Sequence, residues 1–512
     1  MRRIFSLFLT FCMGTACLLA GSACGEQGKQ SSDAASERAY YFDSENGNDD
    51  NDGSSPEKAF QTLFPLYRME KVEPGTELCF KGTFSGNISF KGSGTEEEPI
   101  VLKSYGEKRA VIDGRNRLNC LYLFNQSNIV VDNMEFTLDE EGSTKRNGIY
   151  VYADSGIVGG ITVKNCYLHD ITGSFIKYDY YSSAAIYFDY KGDISPENRF
   201  DDILIENTKI ENVIGIGIGI SDNAEGIGDD SVHPYCENVV IRNVTIDGTS
   251  NDGIILKQCY KPVVEYCKIL NVGKLFPDPN REDYYHCAVW SCATESPLYQ
   301  FNEVAYTTYV DGDGQAFDTD WGSRGTAVWQ YNYTHDNEGG VLLRHENFSG
   351  IFRNNVSIND GNERVGRGLI FHSFIEEGDG LFEAENNIFY NDGYDLHIAY
   401  GFTDYSCMAW EKKDSELNVF RKNIFAYRNA DMDWGERTIY DGNAYVCLNG
   451  DTSAPKGDGN AYIGNPFVNE YKQPEAIREI AEIFALSAEA EEKGFGIEDI
   501  TKFVVEQSGA NF

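Results

Sequence analysis

Two segments decide the fold: "AVWQYNYT" (residues 327–334) and "GIFRNNVS" (residues 350–357) each join a short apolar strand to an asparagine at the same place. The asparagines are Asn332 and Asn355, so the repeat is 355 − 332 = 23 residues long. Repeated apolar strands without a helical pattern between them are typical of a solenoid. The repeat predicts an all-β, single-domain right-handed parallel β-helix with short capping helices, in which one coil takes about 23 residues.

The same pattern recurs over most of the chain, and the interval grows wherever a loop is inserted. From Asn302 onward every coil carries asparagine at the aligned position. Stacking the coils therefore predicts an asparagine ladder, in which each side-chain amide bonds the next and fixes the register of the strands. The aligned positions are Met134, Cys166, Thr208, Val244, Cys267, Asn302, Asn332, Asn355, Asn387 and Asn423.

Four regions are expected along the chain. Residues 1–24 contain Arg2 and Arg3, an apolar run and a "GSAC" ending, the pattern of a lipoprotein-type signal peptide that lipidates Cys24. Lipidation at Cys17, or plain secretion, are the alternatives. Residues 25–39 have the composition of a flexible tether, residues 40–470 form the β-helix, and residues 471–512 form a C-terminal cap over its far end. The protein is expected to be exported, either as a cell-envelope lipoprotein at the cell surface or in the periplasm, or as a secreted protein.

The net charge and the cysteine content restrict the classes of partner and cofactor that the protein can bind. The net charge of −38 argues against nucleic acid and weakly favours a neutral or mixed glycan over a polyanionic one. Membrane contact is expected only through the N-terminal lipid anchor, and the capped solenoid is expected to be a monomer. The cysteines show no metal-ligand spacing, so zinc is not expected and the thiols are interpreted as small buried hydrophobes. Ca²⁺ is the one candidate cofactor.

A row of polar and aromatic side chains is expected on one face of the solenoid. Residues two apart on a strand share a face, and Phe317, Val341 and Leu343 are better suited to the interior than their polar neighbours. Counting back from the ladder position aligns a row of residues on neighbouring coils. The row consists of Lys257, Trp290, Asp318 with Asp320, Arg344 and His372. All of them except the two aspartates are expected to bind substrate.

Asp318 and Asp320 are the predicted catalytic residues. Two residues along a strand place them about 6.6 Å apart, near the roughly 6.5–9.5 Å that separates acid and base in an inverting glycosidase. Two carboxylates so close would not both ionise readily, so one could act as general acid while the other activates water. Ca²⁺ binding and turn capping are the alternatives. Other carboxylates flank the region and could supply one member of the pair: Asp311, Asp313, Asp336, Glu338 and Glu346.

The chain resembles the secreted bacterial right-handed parallel β-helix repeat proteins of the pectate lyase-like superfamily. The resemblance rests on "NDGSSPEKAFQTL", "RFDDILIENTKI", "AVWSCATESPLYQFNEV" and "DGQAFDTDWG", and it covers residues 40–467. It implies the fold and activity on carbohydrate. The polygalacturonase motif set and the DPHE sequence of alginate epimerases are absent from the sequence, so the resemblance carries over no catalytic residue.

Three functions follow from these observations. The leading hypothesis is a glycoside hydrolase that cleaves a poly- or oligosaccharide with the aspartate pair. The first alternative is a polysaccharide lyase on a uronic-acid polymer, with Lys257 or Arg344 as the base and Ca²⁺ on the aspartates. The second alternative is a surface solenoid that binds glycan without cleaving it.

Overall fold

The protein is described by a computed structural model that places most of the chain after residue 37. The predicted lipidation site Cys24, the leader and the tether up to residue 37 lie outside the described residues. No helix in the described part of the chain is long and apolar enough to cross a membrane. The described residues are 38–139, 144–174, 183–191, 196–222, 236–275, 285–309, 313–320, 322–345, 349–361, 371–374, 381–393, 418–428, 438–449 and 457–504.

Short strands dominate the chain. The strands of the first half are β1 (Ala39–Asp43), β2 (Glu77–Lys81), β3 (Thr83–Ser85), β4 (Ile88–Ser89), β5 (Ile100–Ser104), β6 (Ala110–Asp113), β7 (Asn119–Phe124), β8 (Ile129–Asp132), β9 (Met134–Leu138), β10 (Asn147–Ala153), β11 (Ile157–Lys164), β12 (Tyr167–Ile171), β13 (Ala184–Tyr190), β14 (Arg199–Val213), β15 (Ile216–Asp222), β16 (Cys236–Thr249), β17 (Ile254–Lys257) and β18 (Cys259–Tyr260).

The second half continues in the same way, with shorter strands. They are β19 (Val263–Glu265), β20 (Lys268–Leu270), β21 (Val289–Cys292), β22 (Leu298–Gln300), β23 (Glu303–Ala305), β24 (Gln315–Thr319), β25 (Thr326–Gln330), β26 (Tyr333–His335), β27 (Gly340–His345), β28 (Ser349–Arg353), β29 (Val356–Ile358), β30 (Phe371–Phe374), β31 (Phe382–Glu385), β32 (Ile388–Asn391), β33 (Asn418–Arg421), β34 (Ile424–Tyr427), β35 (Thr438–Asp441), β36 (Ala444–Cys447) and β37 (Ala461–Tyr462).

Three strands make one coil, as β24, β25 and β26 do. The second and third strands of a coil belong to a 27-stranded sheet, where β25 pairs with β28 and β26 pairs with β29, both in parallel. The first strand of a coil belongs to a separate ten-stranded sheet. Its strands are, in order, β4, β7, β10, β13, β15, β17, β21, β24, β27 and β30. Parallel stacking of successive coils confirms the predicted right-handed parallel β-helix.

The asparagine ladder is present at the predicted positions. Asn332 donates its amide N–H to Oδ1 of Asn355 at 3.0 Å, and Asn355 donates in turn to Asn387 at 3.1 Å. Each amide also bonds backbone: Nδ2 of Asn355 donates to the Trp329 carbonyl, and its Oδ1 accepts the N–H of Asn332. The ladder continues beyond the predicted range to Asn443 and Asn460. These amides lie inside the solenoid, so the ladder satisfies buried backbone groups at one turn of each coil from Asn302 onward.

The residue before the ladder position bends the chain in every aligned coil. It has a φ near +50°, as at Asn165 (56°), Asn354 (56°) and Lys422 (53°). Asparagine tolerates this left-handed conformation better than most residues, which explains the frequent "NN" and "xN" pairs in the repeats. The bend separates the second strand of a coil from the third, except in β14 and β16, which run through it as single strands.

Outward-facing charges alternate along the second strands of successive coils. Neighbouring registers pair Lys164 with Asp132 and with Glu206, and then Glu206 with Arg242. Farther along, Arg421 pairs with Asp441 in the same row. Opposite charges on adjacent strands attract, whereas a one-coil slip would set like charges together. The row therefore supports the register that the inner ladder fixes.

Short helical segments flank the solenoid. The helix α1 (Phe64–Arg68) follows the first strand, and Leu63 and Leu66 are buried in the main core. Near the C terminus lie α2 (Ile480–Ile483) and α3 (Ala488–Glu492), with 3₁₀ turns at Ile477–Glu479 and Ile500–Val504.

The C-terminal segment lies along the side of several coils. Tyr333 accepts a hydrogen bond from Nε2 of Gln473 at its hydroxyl, and Oδ1 of Asn354 accepts the Glu498 N–H at 2.9 Å. The Gly496 N–H donates to the carbonyl of a third coil, at Lys422. The sequence analysis expected this segment to cover the far end of the solenoid. The apolar residues of α2 instead pack on the outer surface of the third strands, in a cluster with Tyr333, Val356 and Ile388.

Candidate active site

One row of outward side chains crosses the ten-stranded sheet at Asp318. The strand registers pair Ile255 with Trp290, Trp290 with Asp318, and Asp318 with Leu343. Phe317, the residue before Asp318, is buried in the main core, so Asp318 faces the opposite side of the strand. Trp290 and Asp318 are therefore immediate neighbours on adjacent coils, as predicted.

His372 continues this row by its backbone position. Its strand β30 pairs with β27, and the register sets His372 beside Leu343. The side chain of His372 lies outside the described part of the structure, so its predicted contact with substrate stays a prediction.

Lys257 and Asp320 belong to a second row, two residues farther along the strands. The register pairs Lys257 with Cys292, whereas Trp290 pairs with Ile255. Asp320 follows β24, and its N–H donates to the Ser291 carbonyl at 2.6 Å, which continues the pairing by one residue. Counting back from the ladder position sets Lys257 level with Cys292, ten residues before Cys267 and Asn302 respectively, with Trp290 two residues earlier, and the register has this pairing. Lys257 is buried on the same outward face.

Arg344 is not in line with Asp318. The register pairs Arg344 with Thr319 and sets Leu343 beside Asp318. The Arg344 guanidinium hydrogen-bonds Oδ1 of Asn418 at 3.3 Å and lies 5.1 Å from the ring centre of Phe382. The predicted alignment was wrong because Val341, Leu342 and Leu343 are all apolar, and a continuous apolar run does not reveal which residues point inward.

A compact polar cluster forms where β21 and β24 begin. Atoms of Cys287, Asp313 and Asp318 all lie within 4.8 Å of one another. Asp318 and Cys287 are buried, and Asp313 is partly exposed. From the sequence, Asp313 is predicted only as one of several flanking carboxylates, and Cys287 as a packing residue. The two lie at corners of the coil, where strand alternation gives no guide to side-chain direction.

Two further side chains hold Cys287 in place. Its backbone N–H donates to Oδ1 of Asp252 at 3.0 Å, and its Sγ lies 3.3 Å from Oε1 of Gln315 and 3.6 Å from Oδ2 of Asp318. Asp252 and Gln315 are fully buried. Burial, together with the negative charges of Asp318, Asp313 and Asp252, raises the pKa of the Cys287 thiol well above its ordinary value. The thiol is therefore protonated at neutral pH and can donate a hydrogen bond.

An apolar cluster adjoins the carboxylates on the outer face of the sheet. Trp290, Tyr187 and Ile255 belong to it, together with Cys287 and Cys292. Tyr187 extends it toward the N terminus: its ring stacks on that of Tyr150 at 6.0 Å, and Tyr150 stacks on Tyr122 at 5.8 Å. Aromatic rings beside a carboxylate pair are a common composition for a sugar site.

The residue types in the cluster favour proton transfer over calcium binding. Within the described ranges, Cys287, Asp313 and Asp318 are the one group of three potential metal ligands close enough to share an ion. Ca²⁺ prefers an all-oxygen shell of six to eight ligands, which a buried thiol does not fit. Two carboxylates with oxygens less than 5 Å apart instead suit acid–base or nucleophilic chemistry at an acetal carbon.

The fold and the site together define a parallel β-helix with a carboxylate pair on an outer face. By sequence, the chain is 24% identical to a lacto-N-biosidase of Bifidobacterium longum over 542 aligned positions, which cover 85% of this chain and 32% of that protein. The chain thus spans about a third of the length of this relative. The chain is also 28% identical to an uncharacterized protein of Bacillus subtilis over 139 residues. This shorter alignment covers 26% of the chain and 29% of that protein.

Among solved structures, the chain is similar to the GH136 lacto-N-biosidase of Eubacterium ramulus. The TM-score is 0.57 at 19% sequence identity, and the superposition covers 78% of this chain and 68% of that one. This similarity independently supports the parallel β-helix fold. No known sequence-family profile matches the chain.

Proposed function

We propose that the protein is a glycoside hydrolase that cleaves an oligosaccharide with Asp313 and Asp318. The observation that carries the proposal is the approach of these two carboxylates to within 4.8 Å beside Trp290. Retaining glycosidases hold their two carboxyl groups about 5–5.5 Å apart, whereas inverting enzymes need roughly 6.5–9.5 Å to admit a water molecule. The close approach favours a retaining mechanism, in place of the inverting geometry expected for Asp318 and Asp320.

The surroundings of the two carboxylates divide their roles. Asp318 is buried on a regular strand and accepts a thiol hydrogen bond, which favours its anion and holds it still. It is proposed as the nucleophile. Asp313 is partly exposed and precedes the strand, so water can reach it. It is proposed as the acid that protonates the leaving oxygen and then as the base that activates water.

The substrate class is proposed from the curated relative. A lacto-N-biosidase aligned over 85% of this chain supports an oligosaccharide that ends in a lacto-N-biose unit. Trp290 would stack on a sugar ring, and Lys257 and His372 would contact hydroxyl groups. The acidic surface is compatible with a neutral glycan of this kind. Export of the protein and its attachment through lipidated Cys24 remain part of the proposal.

The test is a panel of neutral and uronic-acid glycans that includes oligosaccharides with terminal lacto-N-biose. Reducing ends and ultraviolet absorbance are followed together for the wild type and for the variants Asp313→Asn, Asp318→Asn and Asp320→Asn. We expect reducing ends without absorbance. Loss of either pair member should lower kcat by about 10²–10⁴-fold, and Asp320→Asn, which leaves the backbone bond to Ser291 intact, should lower it less than tenfold.

Other outcomes would indicate a different function or a different catalytic pair. Absorbance that rises with the reducing ends indicates an unsaturated product and a polysaccharide lyase. Retention of glycan without any product indicates a binding solenoid. Loss of activity in both Asp318→Asn and Asp320→Asn, with Asp313→Asn still active, would restore the pair that the strand spacing predicted.

A further inference from the structure

The Cys287 thiol has two acceptors and one proton. Sγ lies 3.3 Å from the amide oxygen of Gln315 and 3.6 Å from Oδ2 of Asp318, both within reach of a sulfur hydrogen bond. A thiol can donate to one acceptor at a time, and an ionised carboxylate is a stronger acceptor than an amide. The thiol proton therefore points to Asp318 when that carboxylate is charged, and to Gln315 when it is not.

The Cys287 thiol is held within hydrogen-bonding distance of both acceptors. The bond from the Cys287 N–H to Asp252 anchors the backbone two residues before β21, and Cys287 is 1% exposed. Water therefore does not compete for the thiol proton. The charged groups that face the thiol are Asp318, Asp313 and Asp252, all carboxylates.

We propose that Cys287 is a positioning residue for the reaction, which donates its S–H to Oδ2 of Asp318 and so holds this carboxylate ionised and oriented for attack. The proposal rests on the proposed function, because it assigns a role to a neighbour of the nucleophile. The sequence gives no signal for Cys287, because a buried cysteine is ordinarily a packing residue. The functional signal is the contact with Asp318, 31 residues away in sequence.

The first test reads the hydrogen bond without any substrate. The S–H stretching band of Cys287 is isolated as the infrared difference between the full-length wild type and Cys287→Ala, in which the other thiols cancel. Its frequency should fall as pH is raised and Asp318 ionises. The shift should vanish in Asp318→Asn and persist in Asp320→Asn. A Cys287 band that does not respond to pH in the wild type, or that responds equally in Asp318→Asn, would overturn the proposal.

The second test measures the pH dependence of kcat/KM. In Cys287→Ala, Asp318 loses a donor to its anion, so the acidic limb of the kcat/KM profile should move to higher pH. Activity below that limb should fall about tenfold for a shift of one pKa unit. Cys287→Ser keeps a donor and should recover most of the wild-type profile. Cys267→Ala is the matched control, because it removes another buried thiol, whose Sγ contacts backbone carbonyls of β16 and β19.

The two proposals fail separately. If the wild type cleaves no glycan, or Asp318→Asn is fully active, the proposed function is wrong, and the infrared result still decides whether Cys287 donates to Asp318. If Asp318→Asn is inactive but Cys287→Ala keeps the wild-type limb, or moves it no more than Cys267→Ala does, Cys287 has only a packing role.

Discussion

At the scale of single residues, the chemistry depends on which carboxylate attacks the sugar. Chemical rescue with azide separates the roles on a substrate with a nitrophenyl leaving group, which needs no acid. Asp318→Gly with azide should give a glycosyl azide of inverted configuration, because azide replaces the nucleophile. Asp313→Gly with azide should give the retained azide, because azide then attacks the glycosyl-enzyme. Product configurations are read by NMR, and the opposite pairing would exchange the two roles.

The site residues differ in how well their positions could be predicted from the sequence. Trp290 and Asp318 could be aligned because both lie on strands in which the sequence indicates which side chains point inward. Phe317 points inward and Asp318 outward. Asp313 and Cys287 could not be placed in the same way, since they lie at corners between strands. Side-chain direction there depends on the local turn, and the turn depends on contacts between coils. Arg344 was misplaced for a related reason, because its strand is apolar on both faces.

At the scale of elements, the asparagine ladder was predictable in detail. A fixed interval and a single residue type specify both the position and the hydrogen bond, and the structure has both. Replacing Asn355 by alanine should lower the free energy of unfolding by about 3 kcal/mol or more, because buried backbone groups at Asn332 and Trp329 lose their partners. Urea denaturation measures the loss.

The control for the ladder is Val328→Thr, which changes an outward, partly exposed side chain on β25. It should alter stability by less than about 1 kcal/mol. If Asn355→Ala is no more destabilising than this control, the ladder does not hold the coils together.

The third strands carry a buried ionic group whose effect depends on pH. His335 lies 2.8 Å from Asp336 and 3.8 Å from Glu303, and Glu303 also pairs with Lys268 at 2.7 Å. Burial lowers the pKa of His335, but the hydrogen bonds to Asp336 and Glu303 outweigh it, so the net direction is upward. A raised folded-state pKa stabilises the protein below the unfolded value, about 6.5, and the benefit is lost as pH rises through the folded pKa.

The difference in stability between the wild type and His335→Gln should therefore be larger at pH 6 than well above neutrality. Denaturation midpoints across this range measure it. Tyr306→Phe is the control, because its ring keeps the edge contact with His335 at 5.0 Å and no charge changes. A difference that is constant with pH would mean that His335 is not protonated in the folded protein at the lower pH.

At the scale of the whole molecule, the C-terminal segment stabilises the last coils from the side. Phe484 is fully buried and packs on Tyr390 and Phe467. Phe484→Ala should cost about 3–5 kcal/mol, and the exposed Val468→Ala should cost little. Limited proteolysis should then cut the coils after Tyr333 sooner in Phe484→Ala. Unchanged proteolysis would mean that the segment is not needed for their stability.

The placement of this segment shows what the repeat could not predict. The sequence predicted a cap over residues 471–512, but no local pattern indicates which surface of the solenoid receives the apolar residues of α2. Their partners, such as Tyr333 and Val356, come from strands more than a hundred residues earlier. The fold class follows from local repetition, whereas long-range docking depends on a surface that exists only after folding.

A proton NMR time course of the wild type with an oligosaccharide that ends in lacto-N-biose tests whether Asp313 and Asp318 act as a retaining pair. One spectrum series reports cleavage, the anomer formed first and any olefinic proton of an unsaturated product. We expect cleavage with the anomeric configuration retained and no olefinic signal. First formation of the inverted anomer would contradict the Asp313–Asp318 pair, and an olefinic signal would contradict hydrolysis itself.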